Sequence, residues 1–221
     1  IGDAAINIIH RDVISSDGAA MQASRGRERV EFLASTDRGF RPVNMTVGPD
    51  GALYVLDMHR VIIEHPEWIP DEMEAKMDLN AGKEEGRIYR ITPKGGLPRV
   101  TPKFSRKNLA ETITHVGHKN KWWRETAQRL LVEWGDVAAI SPLVQIFRES
   151  DNSLARLHAL WTLEGMDALE SVDVERALQD AHAGIRENAL RIAEARMSTD
   201  QSFLSRVLEM LNDEDPKVRM Q

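Results

Sequence analysis

The chain has 221 residues, 42% of them hydrophobic, and a formal net charge of −6 at pH 7, which suits ordinary packed cores and argues against a basic face that would bind nucleic acid. It has no cysteine, which removes disulfides, thiolate nucleophiles, zinc–thiolate sites and covalent haem attachment. No apolar run reaches the roughly 20 residues that a membrane-spanning helix needs.

From the N-terminus, Ile6 to Ile14 and Ala19 to Ser24 read as a hairpin about Ser15-Ser16-Asp17-Gly18, with Phe32-Leu33 as a further short strand. Val43 to Val47 and Leu53 to Asp57 then alternate with period two around Gly48-Pro49-Asp50-Gly51. Proline presets φ, Asp50 can bond its own backbone and Gly51 accepts a left-handed conformation, so this is the clearest hairpin in the chain. A third strand is predicted over Gly86 to Pro93, after a long insertion from Met58 to Glu85. The period changes near Pro98 to Pro102, which reads as a linker between residues 1–100 and 101–221.

Beyond the linker, apolar spacing predicts helices over 106–116, 120–134, 138–149, 153–165, 173–181, 184–197 and 201–212, with an eighth starting at Pro216. Asp151-Asn152-Ser153, Ser198-Thr199-Asp200 and Asp215 supply caps, and Pro142 kinks its helix or marks its start. Arg124, Arg156, Arg186 and Arg219 recur at intervals of 32, 30 and 33 residues, the first three each with Ala three positions on. A period near 30 with helical spacing indicates stacked helical hairpins, in which such arginines pair with acidic residues of a neighbouring unit. The opening on Ile1 and the short last helix read as a piece cut from a longer protein.

Glu31 to Asp37, Phe40-Arg41-Pro42-Val43, Gly48 to Val55, Ile63-Glu64-His65-Pro66 and Gly86 to Arg90 resemble the membrane-bound dehydrogenases of planctomycete and verrucomicrobial type, relatives of soluble quinoprotein glucose and sorbosone dehydrogenases. The resemblance implies a mixed fold, β then α: the last one to two blades of a β-propeller, followed by an α-solenoid of HEAT-like hairpins. It implies an extracytoplasmic or membrane-attached parent using pyrroloquinoline quinone and calcium, with no cofactor expected in this fragment alone. The expected function is the C-terminal portion of a quinone-dependent sugar or alcohol dehydrogenase. The rival is a non-enzymatic protein-binding scaffold. Expected partners are the rest of the propeller, a protein on the HEAT surface, and a second copy paired through exposed blade edges.

Hairpin geometry gathers Arg41, Asp57, His59 and Arg87 at the end away from the Pro49-Asp50 turn, where the insertion departs. Arg41, Asp57 and Arg87 are the candidate cofactor-binding residues. Arg41 reads either as a fixed cation for a carboxylate or quinone oxygen, or as an ion pair with Asp37 or Asp57 that fastens the fold. His59, Glu64 and His65 are the catalytic candidates, as base and orienter in proton or hydride abstraction or as ligands of a divalent metal, with loop anchoring as the bland alternative. The run Asp71-Glu72-Met73-Glu74 with Asp78 reads as a calcium-attracting cluster or as solvated helix. Trp123 and Trp134 have core spacing, while Trp122 is the one expected at the surface.

Overall fold

The computed structural model describes residues 1–197 and 203–221. The cap expected at Ser198-Thr199-Asp200 lies outside the described residues. The chain divides into two compact units, one comprising residues 1–15 and 23–101, the other residues 16–22 and 102–221.

The strands are β1 (Gly2–Asp3), β2 (Ile8–Ile9), β3 (Asp12–Asp17), β4 (Ala20–Arg25), β5 (Leu33–Ala34), β6 (Pro42–Val47), β7 (Leu53–Asp57) and β8 (Arg87–Ile91). They form sheets in the orders β1-β2-β5, β3-β4 and β6-β7-β8. This corrects the expected partial β-propeller. Among the described residues no sheet closes and none has the four strands of a propeller blade. The run expected to form one long strand over Ile6 to Ile14 is interrupted at Asn7, whose φ of 61° turns the chain and whose carbonyl accepts the Ser35 amide at 3.1 Å. Asp3 Oδ1 stabilises that turn by accepting the amides of Ala5 and Ile6 at 2.9 and 3.2 Å. Ile8 and Ile9 form a two-residue strand paired with β1 on one side and β5 on the other, and the first hairpin moves on to Asp12–Asp17 and Ala20–Arg25.

The β6–β7 hairpin forms around the turn that its residues specify. Gly51, at φ 78°, donates to the Gly48 carbonyl at 3.0 Å, and Asp50 Oδ1 accepts the Ala52 amide at 3.1 Å. Asp50 Oδ2 also holds Arg90 Nε at 2.7 Å and the Tyr54 hydroxyl at 3.1 Å, which fastens the turn to β8. The core here is small. Ile9, Phe40 and Val55 are buried, with Leu33, Met45, Leu53 and Ile91 packed on them. So few apolar groups leave much of this unit's order to polar contacts. Within the insertion, α1 (Asp71–Glu74) is one turn of helix carrying the acidic run.

The helical unit holds α2 (Leu109–Thr114), α3 (Lys121–Trp134), α4 (Ile140–Glu149), α5 (Ser153–Gly165), α6 (Ser171–Ala177), α7 (Ala183–Arg196), α8 (Phe203–Glu209) and α9 (Pro216–Met220). Pro142 falls in the first turn of α4, where amides have no intrahelical partner, so the helix tolerates it without a break. Leu131, Leu143, Phe147, Leu160, Leu163 and Ile192 are among the residues of one continuous core. Trp134 and Trp161 pack on that core, whereas Trp122 and Trp123 join Phe104, His115 and His118 in an aromatic cluster. Among the described residues no helix is long and apolar enough to cross a membrane.

A four-times repeated device joins the hairpins. Before α3, α5, α7 and α9 the side chains of His118, Ser150, Asp180 and Asp213 each accept the amide two residues on, and the caps Asn120, Asn152, His182 and Asp215 do the same. Four residues after each cap stands an arginine whose Nη1 donates back to the carbonyls before the cap, as Arg186 does to Asp180 and Ala181 at 2.9 and 3.3 Å. The remaining edge of the guanidinium reaches the next unit: Arg156 grips Asp180 at 2.8 and 2.7 Å, and Arg186 grips Asp213 at 2.8 and 2.8 Å. In the first unit the equivalent position is Ser150, which is too short for such a grip, and the buried Nε of Arg124 has no hydrogen-bond partner. Ser150→Asp is therefore expected to complete the ladder and add about 1–2 kcal/mol. The check is a rise in the urea midpoint at unchanged slope; an unaltered midpoint would refute the equivalence of Ser150 with Asp180.

The same unit carries a pH response. His158 Nδ1 donates to Gln128 Oε1 at 2.6 Å. Burial, then the charge of Arg124, push its pKa below the ordinary 6.5, against a smaller upward pull from Glu125 and with a still smaller downward push from Lys121. Burial and His118 move His115 the same way. Below pH 6.5 the unfolded chain binds protons that the folded unit resists, so helical stability should fall as pH drops through that value. Tryptophan fluorescence reads this directly, because Trp122, Trp123, Trp134 and Trp161 all lie in this unit. His158→Gln should flatten the slope between about pH 7 and about pH 5.5. His10 of the β unit has the opposite sign: Glu31 and Asp12 raise its pKa, so its contribution is present below 6.5 and fades as pH rises through the raised value.

Candidate functional site

The start of β6, the end of β7, the start of β8 and the first residues of the insertion bring together Arg41, Asp57, His59 and Arg87. The Arg41 side chain is buried at 7% exposure and lies against main chain. Its Nε donates to the Arg60 carbonyl at 2.7 Å, Nη2 to Val61 at 2.8 Å, and Nη1 to Ala4 and, at 3.2 Å, to Ala5. Four of the five guanidinium N–H groups are thus spent on carbonyls of two loops. No carboxylate partner is involved.

Asp57 ends β7 and is buried. Its Oδ1 accepts the amides of Arg41 at 2.8 Å and His59 at 2.9 Å, and so fixes the direction in which the insertion leaves the sheet. Its Oδ2 is buried without a hydrogen bond, and Arg87 Nε stands 3.9 Å away. Arg87 itself turns to Glu85, donating to its carbonyl at 2.9 Å and its carboxylate at 3.4 Å.

His59 is the most constrained member. Its φ is 49°, a left-handed conformation that a histidine adopts only when its surroundings hold it there. Nε2 donates to Asp37 Oδ2 at 3.2 Å, while Nδ1 lies 3.4 Å from Glu85 Oε2 without a hydrogen bond. The Gly39 amide first, then the imidazole, hold the Asp37 carboxyl below its usual value. The ring fits between two glycines. A Cβ on Gly39 would come within 2.7 Å of the imidazole, and one on Gly82 within 2.7 Å of the His59 carbonyl. Gly82 has a φ of +86°, so both the close approach and the backbone require glycine there.

Glu64 and His65 are placed differently. Both are exposed on the insertion. Glu64 accepts the Ile63 amide at 3.2 Å, and its pKa is lowered first by backbone amides and then by the charge of Arg41. His65 caps the turn Pro66–Trp68, its Nδ1 accepting the Glu67 amide at 3.4 Å. No contact described brings His65 to His59.

These residues form a clasp around the root of the insertion. Arg41 holds its outgoing segment at Arg60 and Val61; Gly82 and Glu85 of the returning segment close on His59; and the Val61 amide reaches the Ala81 carbonyl at 3.3 Å. The signals that sequence reasoning passed over are the two glycines, because nothing local shows that Gly39 and Gly82 flank one ring. Arg41, the cation expected to meet a quinone's oxygens, has four of its five N–H groups on carbonyls. Among the described residues no three His, Asp or Glu side chains are grouped to hold a metal ion.

Residues 1–95 match the family described as a domain of unknown function, DUF7133. The matched stretch contains all eight strands and the whole clasp. A search of the curated proteins and one of the solved structures each return no match.

Proposed function

We propose that this chain is a non-enzymatic binding and support module, in which the β unit displays a clasped arm and a HEAT-like helical array serves as a docking or support surface. The observation that carries this is the state of Arg41. A guanidinium aimed at a ligand would keep its fork open, whereas this one ties the Ala4-Ala5 turn to the Arg60-Val61 segment. The imidazole of His59 is likewise enclosed, which suits an anchor better than a base that must meet substrate. The resemblance to exported dehydrogenases supports an extracytoplasmic place and a role beside an oxidoreductase. The test supplies the purified chain with pyrroloquinoline quinone, calcium, an artificial electron acceptor and a panel of sugars and alcohols. No reduction above the protein-free rate is expected; reduction lost in His59→Gln would overturn the proposal in favour of the dehydrogenase reading.

A further inference from the structure

The clasp raises the question of what it holds out. Beyond its root, residues 62–80 are organised by their own turns. Trp68 donates to the His65 carbonyl at 2.9 Å, Ile69 to Pro66 at 2.9 Å, Met73 to Pro70 at 2.7 Å and Ala75 to Asp71 at 3.0 Å. Pro66 opens the first turn and Pro70 precedes α1, so two prolines fix the backbone on either side of Trp68. On this ordered frame the indole is 81% exposed, and Ile63 and Met73 are exposed with it. An ordered, exposed tryptophan loses little conformational freedom on binding and gives a large contact area, which is why tryptophan dominates interface hot spots.

The charge around it selects the partner. Residues 62–80 carry six carboxylates and a single lysine. Glu67 is adjacent to Trp68 in sequence, and Asp71, Glu72 and Glu74 follow in the next turn. An anionic lipid surface would be repelled by this field. A protein surface bearing arginine or lysine would be drawn to it, with the cation stacked on the indole face and paired to the flanking carboxylates.

We infer that residues 62–80 are a docking arm, and that Trp68 is its anchor for a basic protein surface presenting an arginine or lysine beside an apolar pocket. The inference rests on the binding-module reading but is tested by a different readout. Labelled amphipathic peptides, one of alternating leucine and arginine and one of alternating leucine and glutamate, are titrated with the full chain and followed by fluorescence anisotropy, alongside phosphatidylglycerol vesicles. The arginine peptide should bind saturably and the glutamate peptide should not. Binding should weaken by about tenfold in Trp68→Ala and by a similar factor in the doubly substituted Glu67→Lys, Glu72→Lys. Both changes lie at exposed positions that make no contact with the core, and an unchanged circular dichroism melt verifies the fold. Equal binding of the two peptides, indifference to Trp68→Ala, or binding to the vesicles in preference to the arginine peptide would each overturn the inference. Dehydrogenase turnover with intact peptide binding would sink only the non-enzymatic reading.

Discussion

Arg41→Ala is expected to unfold much of the β unit. The substitution strips donors from the carbonyls of Ala4, Ala5, Arg60 and Val61 and leaves a cavity between the two loops that they belong to. A buried carbonyl left without a donor costs about 1–3 kcal/mol, and water entering the cavity recovers part of it, so a net loss of about 3–4 kcal/mol is reasonable. A unit of this size has a total stability of about 5–14 kcal/mol, and its apolar core is only Ile9, Phe40 and Val55 with four partly buried neighbours. The loss is therefore a large share of the whole. Hydrogen exchange is the suitable measurement, because it reports the two units separately without assuming that the chain unfolds in one step. Amides of Val55, Leu56 and Ile88 should lose most of their protection. Arg41→Lys should recover only part of it, since an ammonium cannot span the two loops with a planar fork. Protection that stays within about threefold of the wild type would mean that the clasp is ornamental to folding, and the anchoring role given to Arg41 would fail with it.

How much of this was legible depended on the range of the interaction. The β6–β7 hairpin could be read because Pro49, Asp50 and Gly51 specify their turn within four residues. The helical array could be read because Arg124, Arg156, Arg186 and Arg219 repeat, and the pairing of Arg156 and Arg186 with acidic neighbours follows from two charged groups facing each other across one unit. The propeller could not be settled in this way. Closure of a blade depends on a fourth strand and on neighbours far along the chain, which nothing within one hairpin specifies. The site lies between these extremes. Hairpin geometry alone gathered Arg41, Asp57, His59 and Arg87 at one end, and the structure brings them together there. What those side chains touch was hidden, because the acceptors of Arg41 lie 19, 20, 36 and 37 residues away and are main-chain atoms, which leave no mark in the sequence.

Arg186→Ala should destabilise the helical unit by about 3–5 kcal/mol, more than any single exposed ion pair in the chain. The Arg186 and Asp213 side chains are 9% and 8% exposed, and their two parallel hydrogen bonds of 2.8 Å join α7 to the turn that leads into α9. Arg186 is the leading reason that the Asp213 carboxyl sits below its usual value. Removing the arginine leaves that carboxylate nearly enclosed, with only the Asp215 amide and the more distant Arg219 to hold it, and removes the donor to the Asp180 and Ala181 carbonyls. Because the folded pKa of Asp213 is depressed, the pair's contribution is present above pH 3.8 and disappears as the pH falls below it. A double-mutant cycle separates the pair from its surroundings. Asp213→Ala alone leaves a guanidinium that still has its carbonyl partners, and the double variant leaves no buried charge, so the combined loss should fall short of the sum by about 1–3 kcal/mol. Arg124→Ala is the internal comparison, since Arg124 occupies the same place in its repeat without an aspartate and should cost clearly less. Urea titrations followed by tryptophan fluorescence supply all four values. If Arg186→Ala and Arg124→Ala cost the same, the interlocking of successive units would have to come from the apolar core alone, and the ladder would be a consequence of the stacking and not one of its causes.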